Sequence, residues 1–404
     1  MPNLISILEE KAKKKLTTEV YDHIAGGSGD EITLKRNHDI YMETALITRV
    51  LKGDVSPITS INVLGIDSKV PILIAPMAFH TLVSPEGEVA TARAAQKAGC
   101  IMIVSMMSGI TLEKISQSST TPLWFQLHIH KEFRFTEQLI KRAENSGYKG
   151  IVITVDVPQK VKNSRDIKNH FNILEKCTPA NFSEKKIKGS SIIWEGTEFN
   201  SATSWEDILR IRSITKLPII LKGIMHPSDA LKAVDAGIDA IVVSNHGGRQ
   251  LDGAAATLEV LPEIAKAVGN RVSILIDGGI QSGSDIVKAI SLGADAVLIG
   301  RPILWGLAVG GEQGVGQVIE CISEEMALTM RLIGCNTIAD IKNNNPTLSH
   351  LKYLEGSDSL RNTEIHDLKK QINLLIDQQV KILDIFKDSN PADKDKKRWP
   401  LSKL

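Results

Sequence analysis

The chain has 404 residues, 42% of them hydrophobic and 24% charged, with a formal net charge of +1. That size and apolar content suit one large or two ordinary globular domains with an aliphatic core, since only 4% of residues are aromatic. A near-zero net charge gives no reason to expect nucleic acid as a partner, and no apolar run approaches the roughly 18 residues that a membrane span needs.

The chain opens on a Lys-rich helical pattern without the apolar stretch of a signal peptide, which predicts a cytoplasmic protein. Residues 1–65 read as a helical cap. Leu4–Lys15, Thr17–Ile24 and Glu31–Glu43 carry the helical period, and Gly26-Gly27-Ser28-Gly29 breaks the last two apart. From residue 66 to about 340 the pattern changes and repeats. Eight short apolar runs read as buried parallel strands: 71–78, 101–105, 123–129, 150–156, 218–223, 240–245, 273–279 and 296–301. Amphipathic segments separate them, and several end in Gly just before the next run, as at Gly99, Gly147, Gly237 and Gly293. Eight such units predict an α/β chain folded as a (β/α)8 TIM barrel rather than a doubly wound open sheet.

One connection is far too long for an ordinary loop. Residues 160–210 are polar and Lys-rich with no steady period, so they are expected to fold over the barrel mouth as a partly mobile lid. Asn343-Asn344-Asn345-Pro346 reads as a linker, and residues 345–404 as an extension. Within it 364–387 has a 3-4 apolar seam, suited either to docking on the chain's own barrel or to a coiled-coil contact. Cys100, Cys177, Cys321 and Cys335 show no paired spacing and are expected as free thiols.

In such a barrel the chemistry gathers at the C-terminal ends of the strands. Those ends supply Pro76-Met77-Ala78 and His80; Ser105 and Met107; Gln126, His128 and His130; Thr154 and Asp156; Lys222 and His226; Ser244, His246 and Arg249; Asp277-Gly278-Gly279; and Gly300-Arg301. Six histidines are expected on this face: His80, His128, His130, His170, His226 and His246. Gly278-Gly279 with Gly300-Arg301, after strands seven and eight, suits a phosphate: bare N–H groups and a guanidinium. Lys222 rises from the barrel centre, where an unpartnered ammonium is costly, so it is expected to face an electron-rich ligand. Asp156 and His246 come from strands four and six. A carboxylate accepting the imidazole N–H fixes the tautomer and makes His246 a better base. Arg249 suits a two-point grip on a carboxylate. The histidine cluster also admits a metal-dependent hydrolase, which needs ligands converging on one ion; no metal site is predicted.

The segment Ser244-Asn245-His246-Gly247-Gly248-Arg249-Gln250-Leu251-Asp252 resembles the signature of the FMN-dependent 2-hydroxy acid oxidases and dehydrogenases. Ile74-Ala75-Pro76-Met77-Ala78, Thr154-Val155-Asp156, Leu221-Lys222-Gly223, Asp277-Gly278-Gly279 and Ile299-Gly300-Arg301-Pro302 extend the likeness over residues 4–340. The resemblance implies FMN in the barrel mouth. Its ring would meet Pro76, Met77, Ala78, Ser105, Gln126, Thr154 and Lys222, with Ser244 and Asp277 nearby, and its phosphate Gly279, Gly300 and Arg301. Lys222 would stabilise negative charge on the reduced ring. It also implies that His246 takes the substrate hydroxyl proton, that Asp156 pairs with it and that Arg249 binds the substrate carboxylate.

Most departures fall on the substrate side. His23 and His128 stand where the family has tyrosines, Met107 where it has a large residue such as Trp, and Asn163 where it has a second arginine, with Arg165 two places on. An Arg that commonly follows the Asp-Gly-Gly is Gln281. A 2-hydroxy acid or a bulkier relative is therefore expected as substrate; an amine, amino acid derivative or carrier-bound intermediate is the alternative. The acceptor is dioxygen or another oxidant, and a homotetramer is expected.

Overall fold

The computed structural model describes residues 4–159, 161, 163–185, 193–195 and 198–348. The described residues form one compact unit ending at Leu348. The stretch expected as a helix at 364–387 lies outside the described residues.

Strands Ile72–Ile74, Ile101–Ser105, Leu123–Leu127, Ile151–Thr154, Ile219–Ile224, Ala240–Val243, Ser273–Ile276 and Ala296–Ile299 close into a parallel barrel in chain order, the eighth pairing with the first. The near-continuous apolar runs are explained by burial on both faces. Residues pointing outward pack on the surrounding helices. Those pointing inward, Leu73, Ile103, Trp124, Val152, Ile220, Val242, Leu275 and Leu298, fill the barrel and are almost wholly excluded from solvent. Each such side chain contributes about 1.5–3 kcal/mol by burial. The interior is a packed plug beneath the mouth, so any ligand must sit above it.

The three cap helices, Leu4–Lys15, Thr18–Ala25 and Ile32–Glu43, match the predicted segments closely. The third is pinned to the strand-six loop. The Asp252 carboxylate accepts from the Asp30 and Thr33 amides at 2.8 and 2.9 Å, and the Asn37 and Asn245 side chains exchange two hydrogen bonds at 2.9 and 2.8 Å. The segment 244–252 thus ends in a residue that caps the third helix.

The long connection contains short helices Ser164–Lys168 and Ile173–Lys176, capped by the Asn163 and Asn172 side chains, and a hairpin of Ser183–Lys185 with Ile193–Glu195. Pieces this short carry no steady period, which is why the sequence shows none. The expected linker at 343–346 is instead a helix end. Ile338–Asn344 stops at Asn345, whose φ of 40° is left-handed, and Thr347–Leu348 then pairs antiparallel with Ala45–Leu46. Asn tolerates that conformation and Pro346 cannot extend a helix, so a stop signal resembled a linker.

Candidate active site

A cavity of about 1350 Å3 opens at the C-terminal ends of the strands. Its floor follows from the period of two. Two residues beyond the inward apolar plug on each strand come Ala75, Ser105, Gln126, Thr154, Lys222, Ser244, Asp277 and Gly300. All but Ser244 line the cavity, together with Pro76, Met77, Ala78, Gly278, Gly279 and Arg301. Ser244 lies behind the wall, where its Oγ accepts from Lys222 Nζ at 2.7 Å and from the His246 amide at 3.1 Å.

The polar floor is a chain of donors. Ser105 Oγ donates to Gln126 Oε1 at 3.1 Å, and Gln126 Nε2 donates to Thr154 Oγ1 at 2.9 Å. Lys222 is not the unpartnered ammonium that the sequence suggested. It pairs with Asp277 at 2.8 Å, and although burial alone would lower its pKa, Asp277 and Asp156 outweigh burial and raise it. Asp277 Oδ1 is buried and has no hydrogen-bond partner among the described residues. The correction arises because strands five and seven reach the mouth at the same height, so two inward residues meet across it.

Asp156 sits behind His246, with Oδ1 3.0 Å from His246 Nδ1. Burial alone would raise the Asp156 carboxyl; the facing His246 and Lys222 outweigh it and hold the carboxyl below its usual range. His246 takes a left-handed φ of 59°, followed by Gly247 at 65° and Gly248 at 75°. A side chain in that region costs about 1–2 kcal/mol; the turn it makes swings the imidazole over the mouth, and only glycine follows comfortably.

His128 lines the cavity, stacked on Phe199 with centroids 4.5 Å apart. Burial, and then His246, push its pKa down to about 3, so the ring is neutral at physiological pH. His23 also lines the cavity; its Nδ1 lies 3.0 and 3.1 Å from the two Asp166 oxygens. Met107 and His170 complete this side. Arg165 faces the cavity but its guanidinium is held by Glu31 at 2.7 and 2.6 Å and by Asp22 at 3.4 Å. Asn163 caps the helix that carries it. Arg249 NH1 donates to the His23 and Gly26 carbonyls at 2.8 and 2.9 Å, which aims the guanidinium from strand six.

Three of the six histidines expected on this face are elsewhere. His80 is buried against Thr91 at 2.9 Å, His130 packs among Phe135, Phe182 and Phe199, and His226 caps the helix Pro227–Asp235. Each lies past its strand's end or in a turn, where alternation no longer sets direction. Conversely Tyr21, His38, Phe171 and Trp305 line the cavity without having been singled out as members. Among the described residues no group of three His, Cys, Asp or Glu side chains converges to hold a metal ion.

A planar, anionic, phosphate-bearing ligand such as FMN fits these walls. The floor offers donors from Gln126, Thr154 and Lys222 above an apolar plug, and Ala75, Met77 and Ala78 form one wall. Arg301 donates to the carbonyls of Ile24, Gly247 and Gly26 at 2.9, 3.1 and 3.0 Å, and among the described residues no carboxylate is bonded to it. Burial, with Arg249 close by, pushes it down to about 9. An anion beside Gly279 and Gly300 relieves both effects. The volume exceeds the roughly 300–1,000 Å3 common for one ligand, leaving room for a substrate.

The sequence pattern described as FMN-dependent dehydrogenase matches residues 12–347. The chain is 44% identical to an L-lactate oxidase of Nostoc sp. over 82% of its own length and 94% of that protein's. It is 46% identical to a peroxisomal (S)-2-hydroxyacid oxidase of Arabidopsis thaliana over 83% and 94%. A mandelate oxidase solved with benzoyl-formic acid superimposes with a TM-score of 0.77 at 41% identity, over 84% of this chain and 96% of the other.

Proposed function

The chain belongs to the FMN-dependent dehydrogenase family, and from that premise we propose that it oxidises a 2-hydroxy acid to the 2-oxo acid. The observation that carries this reading is the His246 imidazole, held by Asp156 at 3.0 Å in the cavity that Lys222 floors. His246 takes the hydroxyl proton. Asp156 fixes the ring's tautomer and stabilises the imidazolium. Arg249 receives the carboxylate. The neutral His128 donates or accepts one hydrogen bond at the reacting carbon's substituents without adding charge. Ser105, Gln126, Thr154 and Lys222 hold the FMN ring, with Gly279, Gly300 and Arg301 at the phosphate. Bound there, FMN supplies a two-electron acceptor for the substrate's C2 hydrogen.

Anaerobic addition of small and aromatic 2-hydroxy acids to the yellow protein tests this. Bleaching by at least one is expected; a flavin left oxidised by all of them would refute it. A second reading, oxidation of an amine or of an amino acid or carrier-bound derivative, is favoured by one observation: Arg165 is committed to Glu31 and Asp22, so Arg249 is the sole guanidinium free to meet a carboxylate on the strand-four and strand-six side, among the described residues. Amine-bearing candidates in the same assay decide.

We also propose dioxygen as acceptor, as the relatives' names suggest, and a homotetramer. Exposed Ile47, Val50, Leu51 and Leu332, brought together where the Arg49 amide meets the Leu332 carbonyl, support self-association through a second copy of the chain. Among the described residues no helix is long and apolar enough to cross a membrane. A cytoplasmic location is proposed, with a peroxisomal one, as in the Arabidopsis relative, as the outcome that fractionation would have to exclude.

A further inference from the structure

At the phosphate end of the cavity the loops that follow strands seven and eight are short of free side-chain donors among the described residues. Gly278, Gly279 and Gly300 offer only backbone, and three of the Arg301 N–H groups point at the carbonyls of Ile24, Gly26 and Gly247. Gln281, next in the wall, is neutral. A bound phosphate carries about −1.5 to −2 charges at neutral pH and three strong acceptor oxygens.

One ionisable ring faces this end from a different element. His38, on the helix Ile32–Glu43, lines the cavity beside Gly279. Its place is fixed by three independent contacts. The Asn37–Asn245 side-chain pair ties the helix to strand six, Asp252 ties down its first turn, and Gly279 packs so closely that a Cβ there would lie 1.9 Å from the Asn37 carbonyl oxygen. Gly279 has a φ of 82°, so both the close approach and the conformation require glycine. The glycine of the phosphate loop and the backbone of the histidine are thus one packed unit. Gly279 packs against the His38 backbone, and its own backbone favours the protonated ring, the direction expected of a ring N–H turned toward the Gly279 carbonyl.

We propose that His38 is a phosphate-binding residue for FMN, donating from the ring nitrogen that Gly279 leaves free. The inference rests on FMN as the cofactor and on nothing about the substrate. In the neutral ring, donation to Gly279 leaves a lone pair on the other nitrogen. Two donors therefore require the imidazolium, and the proton comes from solvent as the phosphate arrives. The charged groups around the ring are consistent with that order. Burial and then Arg301 hold His38 below its ordinary value when no anion is present, while Asp285 and Glu9 oppose them. Asp285 already accepts from the Gln281 and Ser282 amides and Glu9 from Tyr21, and Lys35, three positions earlier on the same helix, lines the same cavity and adds to the positive field that the phosphate meets. An incoming dianion reverses the balance.

The test is flavin binding by the full chain, using FMN and riboflavin, which lacks the phosphate. His38→Gln is expected to weaken FMN about 10- to 100-fold, the loss of one charge-assisted hydrogen bond, and riboflavin by less than about twofold. Proton uptake on FMN binding at pH 7, read by calorimetry in buffers of different ionisation enthalpy, is expected in the wild type and lost in His38→Gln. His38→Arg is expected to keep the preference for FMN. Unchanged FMN affinity in His38→Gln, or equal weakening of both flavins, overturns the assignment. Should His38→Gln not fold, His38→Arg carries the test alone, and a fall in its FMN-over-riboflavin preference overturns the proposal. Wild-type protein that takes up neither flavin overturns the FMN premise and the proposal with it.

Discussion

Replacing Asp156 with Asn isolates the carboxylate's charge at almost constant shape. The carboxylate is 3.0 Å from His246 Nδ1 and buried, while Lys222 and His246 keep it ionised. When His246 takes a proton, the new charge meets that carboxylate. At 3.0 Å and an effective dielectric constant of about 20, the attraction is about 5.5 kcal/mol. An Asn retains the hydrogen bond but not the charge, and its NH2 group selects the wrong tautomer, so the loss should approach this figure. Each 1.36 kcal/mol is tenfold in rate, which predicts flavin reduction slower by about 10^3- to 10^4-fold. The assay is stopped-flow bleaching of the flavin without dioxygen at saturating 2-hydroxy acid. Flavin content and the dissociation constant for a non-reacting carboxylate analogue should stay within about threefold, because Asp156 touches neither. A fall in rate of less than tenfold would refute the argument that His246 works as a charged intermediate in the field of Asp156.

Lys222→Met removes the partner of Asp277, whose Oδ1 is already unbonded, and should cost about 3–5 kcal/mol of stability and weaken FMN; an unchanged unfolding midpoint in denaturant would contradict the buried pair. Arg249→Gln should raise the dissociation constant for carboxylate analogues about 10- to 100-fold, whereas Arg165→Gln, whose guanidinium is held by Glu31 and Asp22, should change it less than about threefold; equal effects would show that Arg165 reaches the ligand. For His128 the sign is fixed by a pKa lowered to about 3: the ring is neutral throughout pH 5–9, so His128→Phe should lower the rate without moving either limb of its pH profile in that window, and a displaced limb would refute the neutral ring.

The barrel and its polar floor were legible because alternation is a rigid rule. Once Leu73, Trp124 and Val242 are inward, Ala75, Gln126 and Ser244 must be too, and the inner ring could be written down from the chain alone. The rule expires where the strand does. His80 and His226 enter turns and His130 an aromatic cluster, and nothing in their spacing distinguishes them from His128. Pairings between distant elements were equally invisible. Glu31 and Arg165 are 134 positions apart, as Arg36 and Glu259 are 223 apart, and no local pattern couples them. His38 was hidden for another reason: on a helix that reads as a surface cap, a histidine is an ordinary polar residue until Gly279 is known to lie against it.

The carbonyls of His23, Ile24 and Gly26 hold both Arg249 and Arg301. This three-carbonyl clasp is made early by the ribosome, while the guanidinium that Ile24 grips at Arg301 follows 277 positions later. At the roughly 5–20 residues per second of synthesis, the N-terminal helices wait about 14–55 seconds before the last of these partners exists. The cavity therefore cannot be completed during translation of the first three-quarters of the chain. The cap stays incompletely docked for that interval, and a pause in synthesis anywhere before Arg301 prolongs the time during which its apolar faces are partly uncovered.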